Sequence, residues 1–250
     1  MNKIIFGDNL EALKTIETGS VNVSYSDIPY GTGKVQKRGN IEYNDPSENY
    51  KEFIYPRIEE VYRVLAKDGS FFLHADYRWI HYLKVWCDEI FGRENFINEI
   101  IWSYDYGGRS KVKWPAKHDN ILFYAKNHKK YTFRYDQIDR IPYLAPGLVG
   151  PEKASKGKTL TDVWQNTIVP TMSKENLHYP TQKPLAILNR IIKVHSYEND
   201  LILDWCAGSG SLGEAAGNFN RSFIMIDNNP SAIEIMEKRL AKFNPEIIKI

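Results

Sequence analysis

Cysteine is nearly absent. Cys87 and Cys206 are the two among 250 residues, and they stand far apart in no metal-ligand spacing, which argues against a disulfide framework and against a zinc site. Long apolar runs are missing as well; none approaches the roughly 18 residues of a membrane span. The opening MNKIIFGDNLEAL has neither the basic n-region nor the apolar h-region of a signal peptide. There are no internal repeats and no low-complexity tracts, and the formal net charge is only +2. The expectation is a soluble protein of a reducing compartment, with no metal and no membrane partner.

What is present is length enough for one α/β domain, or one with an insert, and for a sizeable core. The charge, small in total, is unevenly placed. Residues 109–140 carry nine basic against three acidic side chains, with Trp114, Phe123, Tyr124, Tyr131, Phe133 and Tyr135 among them. Basic residues interleaved with aromatics suit nucleic acid, although a solvated face reads the same way.

Short apolar runs alternate with helical patterns, the sign of an α/β sheet. The spacing predicts strands over 3–6, 21–26, 70–74, 99–104, 121–125, 201–203 and 222–226. It predicts helices over 10–16, 50–65, 79–91, 185–194, from Gly210 to Ala216, and from Pro230 to about Phe243. Pro230 suits a first helical turn. Gly31 to Gly39, with three glycines and three bases, reads as a mobile loop. Residues 136–180 mix proline, glycine and charge with little periodicity and read as an irregular insert.

Two short motifs carry chemistry. Gly208-Ser209-Gly210-Ser211-Leu212-Gly213 is a G-x-G-x-x-G between an expected strand and helix, and Asp227 lies 19 positions beyond Gly208 at the next strand's end. The glycines allow close backbone approach to a ligand, and the acid can accept from ribose hydroxyls. A dinucleotide or another nucleoside cofactor satisfies this equally. Only about 40 residues follow Gly210, too few for a dinucleotide domain, so the first half of the sheet must come from the N-terminal part of the chain. The second motif is Asp27-Ile28-Pro29-Tyr30, closing a strand expected to lie beside the Leu201 strand, at the edge where ligands sit. A carboxylate and a backbone carbonyl accepting the two hydrogens of an exocyclic amino group would favour a pyramidal nitrogen with a usable lone pair. Proline fixes the turn, and tyrosine offers a face for a base removed from its stack. A packing turn is the plainer reading of the same four residues.

Together the motifs resemble the permuted (β-class) S-adenosylmethionine-dependent DNA amino-methyltransferases, in which the D-P-P-Y motif precedes the target-recognition insert and the F-x-G-x-G cofactor loop comes last. The resemblance runs over nearly the whole chain. It includes Gly7-Asp8-Asn9-Leu10, Asp27 to Tyr30, Lys67-Asp68-Gly69-Ser70, Ile90-Phe91-Gly92 and Ile100-Ile101-Trp102. His118-Asp119-Asn120-Ile121-Leu122, Tyr179-Pro180-Thr181-Gln182-Lys183-Pro184, Asp204 to Gly210 and Ile226-Asp227 complete it. It implies a Rossmann-like α/β methyltransferase fold with a mixed, mostly parallel twisted sheet in permuted order. A catalytic half (1–135) and a cofactor half (180–250) would flank a small target-recognition insert (136–179). It also implies S-adenosylmethionine as cofactor, double-stranded DNA as partner and a prokaryotic or phage-infected cytoplasm. It leaves a homodimer and a restriction-endonuclease partner open.

Carried over by position, Asp27 and the carbonyl of Ile28 would accept from the target amino group, with Pro29 fixing the turn and Tyr30 stacking on the flipped base. The backbone of Cys206, Ala207, Gly208, Ser209 and Gly210 would cradle the methionine part of the cofactor, with Asp204 near its amino group. Thr181 and Lys183 would lie beside its carboxylate, Asp227 with Asn228 at the ribose, and Asp8 at the adenine end, where an N-cap role is the bland alternative. Ile28 stands where the family has proline, and Cys206 where it has phenylalanine, with Trp205 ahead of it. Activity is expected to survive the first departure at a lower rate, since the working carbonyl can belong to any residue; at the second, main-chain contacts remain open to the cofactor while the packing around its methionine half differs. Lys34, Lys37 and Arg38 would close over DNA, and Arg109, Lys111, Lys113 and Lys117 would form a second basic cluster beside Gly107-Gly108. His118 and His178 are expected to pack or hydrogen-bond, since the mechanism needs no imidazole. An aspartate at position 27 goes mostly with adenine in the family. The rivals are an N4-cytosine enzyme, a non-catalytic DNA-binding protein on the same fold, and a nicotinamide-dependent dehydrogenase.

Overall fold

Ile4 and Ile5, Phe71 and Phe72, and Ile121 and Leu122 are adjacent apolar pairs with both members buried. Successive strand residues point to opposite faces, so each pair divides between two cores. One core takes Ile5, Phe71 and Leu122, and the other takes Ile4, Phe72 and Ile121. The sheet is therefore covered on both sides.

The computed structural model describes residues 1–38, 41–45 and 48–250, with backbone alone at 36–38, 41, 43 and 44. The elements of the N-terminal part are β1 (Lys3–Phe6), α1 (Asn9–Lys14), β2 (Val21–Asp27), β3 (Lys34–Arg38), β4 (Ile41–Asp45), α2 (Tyr50–Val64), β5 (Leu65–Ala75), α3 (Ile80–Phe91), β6 (Phe96–Ser103) and β7 (His118–Ala125). Then come β8 (Arg140–Ile141), α4 (Pro151–Lys156), β9 (Lys158–Thr159), β10 (Val163–Gln165), α5 (Leu185–His195), β11 (Leu201–Asp204), α6 (Ser211–Asn218), β12 (Ser222–Asp227), α7 (Pro230–Leu240) and β13 (Glu246–Lys249).

Among the described residues nine strands form one sheet, in the order β10-β6-β7-β5-β2-β11-β12-β1-β13. β7 runs antiparallel to both its neighbours and every other pairing is parallel. The expected Rossmann-like, mostly parallel sheet is what the chain forms. β2 and β11 pair as anticipated, Val23 opposite Ile202. Helices α1 to α3 cover one face and α5 to α7 the other. No helix among the described residues is long and apolar enough to cross a membrane.

Local chemistry sets the boundaries. The Asp8 side chain caps α1, and Asn229 caps α7 with Pro230 in its first turn. Gly69 sits where β5 shifts register against β2; a Cβ there would stand 3.0 Å from the carbonyl oxygens of Ala66 and Val21. Residues 66–69, between the expected helix and the expected strand, are thus an irregularity inside one longer strand, since the backbone regains its ladder at Ser70.

Two expectations need correcting. The loop expected over 31–39 is instead the first arm of a hairpin, β3 paired antiparallel with β4, held at its base because the Asp45 carboxylate accepts from the backbone N–H of Gly31 and of Thr32. Gly39 itself lies outside the described residues. The stretch 136–179 is not wholly irregular: β10 joins the main sheet beside β6, and Trp164 is buried in its core. Finally, β13 continues the sheet past β1, in a segment whose Pro245 and flanking charges hide any alternation.

Candidate active site

In a parallel sheet the carboxyl ends of the strands share one edge, and ligands gather there. β2 ends in Asp27, β11 in Asp204 and β12 in Asp227. Because β7 runs the other way, its first residues, His118 and Asp119, come to that same edge. A cleft of about 500 Å³ opens along it, lined by Asp8, Asp27, Ile28, Pro29, Tyr30, Thr181, Lys183, Asp204, Cys206, Ala207, Gly208, Ser209, Asp227 and Asn228 among others. Of the residues expected at the cofactor, Gly210 alone does not line it. With φ at +73° it turns the chain into α6, and a Cβ would meet the Met236 side chain at 2.7 Å, so its role is to let α6 and α7 pack closely.

The cofactor half is built from carboxylates held by backbone. Asp204 Oδ1 accepts from Ser26 Oγ at 2.8 Å and from the Cys206 N–H at 3.0 Å. Burial outweighs both bonds and, with the charges of Asp27 and Asp227, pushes this carboxyl up to about 7. Asp227 accepts from the N–H of Gly208 at 2.8 Å and of Asn229 at 2.8 Å, and burial raises it too. Gly208 has φ of +50°, and a Cβ would lie 2.9 Å from the Tyr179 ring; only a glycine lets that ring cover the loop. Cys206 Sγ takes a contact from Asn9 Nδ2 at 3.5 Å, and burial pushes its thiol up, so it packs as a small hydrophobe in the place of the family's phenylalanine. Trp205 is fully buried. Asp8 is the N-cap of α1, with Oδ1 2.9 Å from the Leu10 N–H; Oδ2 pairs with Arg57 at 2.9 Å, and the residue also lines the cleft.

These donors and acceptors fit S-adenosylmethionine. A poorly solvated Asp204 carboxylate suits an ammonium, the Asp227 carboxylate keeps lone pairs for a diol, and the glycine turn leaves room for a ligand against backbone.

At the other end of the cleft the side chains form a connected cluster. Lys183 Nζ pairs with Asp27 Oδ2 and donates to the Thr181 carbonyl at 3.3 Å. Lys183 was expected beside a cofactor carboxylate; here it holds Asp27. The Tyr30 hydroxyl lies 3.0 Å from Asp27 Oδ1 and 3.2 Å from Asp119 Oδ2. Burial and the two carboxylates push Tyr30 well up, so it keeps its proton and donates. Tyr25, raised by burial and by Asp27, Asp204 and Asp119, faces His74 Nδ1 at 2.7 Å, leaving His74 Nε2 for Asp119 Oδ2 at 3.4 Å. Burial works to raise Asp119, but His74, Lys183 and the Tyr104 hydroxyl hold it down at about 2. His74 and Asp119 are the site residues that sequence reasoning missed. The signal was the His118-Asp119 segment, quoted in the resemblance without a role. Ile28, where proline was usual, is buried, and its N–H donates to the His74 carbonyl at 3.4 Å, a bond proline could not make.

The basic residues divide. Lys34 is exposed on β3; the side chains of Lys37 and Arg38 lie outside the described residues. Arg109, Lys111 and Lys113 are exposed, Arg109 pairing with Asp105 at 3.2 Å. Lys117 instead turns inward, its Nζ donating to the carbonyls of Tyr106, Gly107 and Gly108 at 2.6, 2.9 and 3.2 Å. His178 is exposed with φ of +60°, and no hydrogen bond places His118 or His178 in the cluster.

Comparison with known proteins agrees with this arrangement. Residues 21–238 match the N6/N4 methyltransferase family described as DNA methylase. The type II methyltransferase M.HpaI of Haemophilus parainfluenzae is 33% identical over 97% of this chain and 75% of its own length. The DNA adenine methyltransferase YhdJ of Escherichia coli K12 is 31% identical over 95% of this chain and 82% of its own. In fold, the chain resembles the cytosine-N4-specific PvuII DNA methyltransferase, with a TM-score of 0.69 at 16% identity, covering 100% of this chain and 95% of that one. Solved structures of the same fold include complexes with S-adenosylmethionine. Strand order, the cleft at the carboxyl edge and the matches along the chain lead to one assignment: this protein belongs to the N6/N4 amino-methyltransferase family of S-adenosylmethionine-dependent DNA methylases.

Proposed function

We propose that this protein methylates the N6 amino group of adenine at a specific sequence in double-stranded DNA, with the target base swung out of the stack into the cleft. One observation carries the proposal: Asp27 to Tyr30 and the wall from Asp204 to Asp227 line a single continuous cleft. S-adenosylmethionine, when bound, supplies the methyl group. The chain's own residues prepare the acceptor. An exocyclic amino nitrogen is a poor nucleophile because its lone pair is delocalised into the ring. Asp27 accepts one of its hydrogens and the Ile28 carbonyl the other, which favours a pyramidal nitrogen and frees the lone pair. Tyr30 has one proton for two carboxylates; turned toward Asp119, it leaves Asp27 Oδ1 to the incoming amino group and its ring face to the base. Lys183 sets the position and charge balance of Asp27. No covalent enzyme intermediate is needed, and Cys206, whose thiol burial pushes up, is not a nucleophile.

Two features support adenine over cytosine: the aspartate at position 27, and the name of the relative YhdJ, a DNA adenine methyltransferase. Tritium transfer from labelled S-adenosylmethionine to mixed genomic DNA, followed by nucleoside analysis, tests the reading. Label in N6-methyladenine is expected. Label in N4-methylcytosine changes the base and keeps the mechanism. No label, with cofactor binding demonstrated, overturns the proposal in favour of a non-catalytic DNA-binding protein.

A further inference from the structure

Tryptophan is seldom left in water, because its ring is the largest apolar surface a side chain offers. Trp114 is 96% exposed, and Val112, two residues away, is 92% exposed. Neither is needed for the core. Both sit on the 14 residues from Tyr104 to Lys117 that connect β6 to β7, on the sheet edge that carries the cleft.

The connection is anchored at its base. At the base the Tyr104 N–H donates to the Lys117 carbonyl at 2.9 Å, and the Tyr104 hydroxyl to Asp119 Oδ1 at 3.1 Å, so the loop springs from the cluster that holds Asp27 and Tyr30. Lys117 fastens the carbonyls of residues 106–108, while Gly107 has φ of +94°. Trp114 stands five positions before Asp119, a reach of at most about 18 Å. Arg109, Lys111 and Lys113 on the same loop are exposed, Arg109 in an ion pair with Asp105, so the ring is presented beside positive charge that suits a polyanion.

We propose that Trp114 is a wedge that enters the duplex and fills the space vacated when the target base moves into the cleft. This rests on the reading of the protein as a DNA methyltransferase that flips its base. Removing a base from the stack costs the stacking of both its neighbours. An indole inserted at the gap restores stacking on those bases, as apolar wedges do at kinked steps and aromatic rings do on single strands. Any base offers a π-face, so the wedge lowers the cost of flipping without choosing the sequence. The basic residues beside it bind phosphates and account for affinity; the ring accounts for opening.

The test compares Trp114→Ala, Trp114→Phe and Trp114→Lys with the parent on native genomic DNA and labelled S-adenosylmethionine, together with binding to the same DNA over a range of salt. Since the ring is exposed, all three variants keep the parent's melting temperature. Trp114→Ala lowers kcat at least about tenfold, equivalent to about 1.4 kcal/mol, with DNA affinity and salt slope unchanged. Trp114→Phe returns kcat to within about threefold of the parent. Trp114→Lys stays low despite its added charge. A parental kcat for Trp114→Ala, or rescue by lysine as good as by phenylalanine, overturns the wedge. If the parent itself transfers no label to DNA, it is the underlying reading that fails, and the wedge with it.

Discussion

Asp204→Asn separates the cost of a buried charge from its use. Burial leaves the Asp204 carboxyl at about 7 against an ordinary 3.8. A carboxyl whose folded value lies above its unfolded one binds its proton more tightly in the native state, so folding stability falls as pH rises from about 4 to about 7 and stays low above that. At about 1.4 kcal/mol per pH unit the full deficit above pH 7 is about 4 kcal/mol. Asparagine is of similar shape and keeps an oxygen for Ser26 and the Cys206 N–H, but brings a buried amide that costs about 1–3 kcal/mol if it finds no acceptor. The expected net gain at pH 8 is therefore about 1–3 kcal/mol, a rise in melting temperature of roughly 2–12 °C for a domain of this size. The amide cost does not titrate, whereas the charge cost does. The sharper expectation is thus that the advantage shrinks by about 2–3 kcal/mol between pH 8 and pH 5. Thermal and urea unfolding at both pH values measure this. In parallel, calorimetry should show the parent binding S-adenosylmethionine more tightly as pH rises through 7, and the variant binding weakly at every pH. A gap between the two proteins that does not narrow at pH 5 refutes the reasoning, because the carboxyl would then not be paying for its burial.

Other expectations follow from particular contacts. Gly210→Ala places a Cβ at φ of +73° and 2.7 Å from Met236; it should destabilise the fold by about 2–4 kcal/mol, read by urea unfolding. Asp119→Asn removes the charge that the Tyr30 and Tyr104 hydroxyls and His74 share; methyl transfer should fall at least about tenfold while cofactor affinity, measured by calorimetry, stays within a few fold. Asp27→Ala should abolish transfer and leave the cofactor bound, and loss of binding with residual transfer would contradict the role assigned to it. Replacing Lys34, Lys37 and Arg38 together should weaken DNA binding and flatten its dependence on salt, as filter binding at several ionic strengths would show.

The two motifs were legible because their information is local. A carboxylate at a strand end, a proline turn and a glycine pair with an acid 19 residues on are recognisable without knowing what else comes near. The pairing of β2 with β11 was legible as well, because both motifs close strands at the ligand-binding edge. The hairpin of β3 and β4 was not, because three glycines and three bases read as a loop until the partner strand and the Asp45 anchor are seen. The resemblance places Lys183 beside the cofactor, and it does line the cleft; its contact with Asp27, 156 residues away, is a matter of how the two parts of the sheet meet.

The sequence by itself determined the class of fold, the family and the residue types at both ends of the cleft, since alternation, caps and side-chain chemistry are properties of short segments. Only the tertiary structure decided that Asp119 and His74 complete the cluster around Asp27. The direction of β7 brings its first residues, rather than its last, to the edge where the parallel strands end. Strand direction is set by packing across the whole sheet and leaves no mark on the alternation of a single strand, so a segment read alone cannot show which of its ends will face the site.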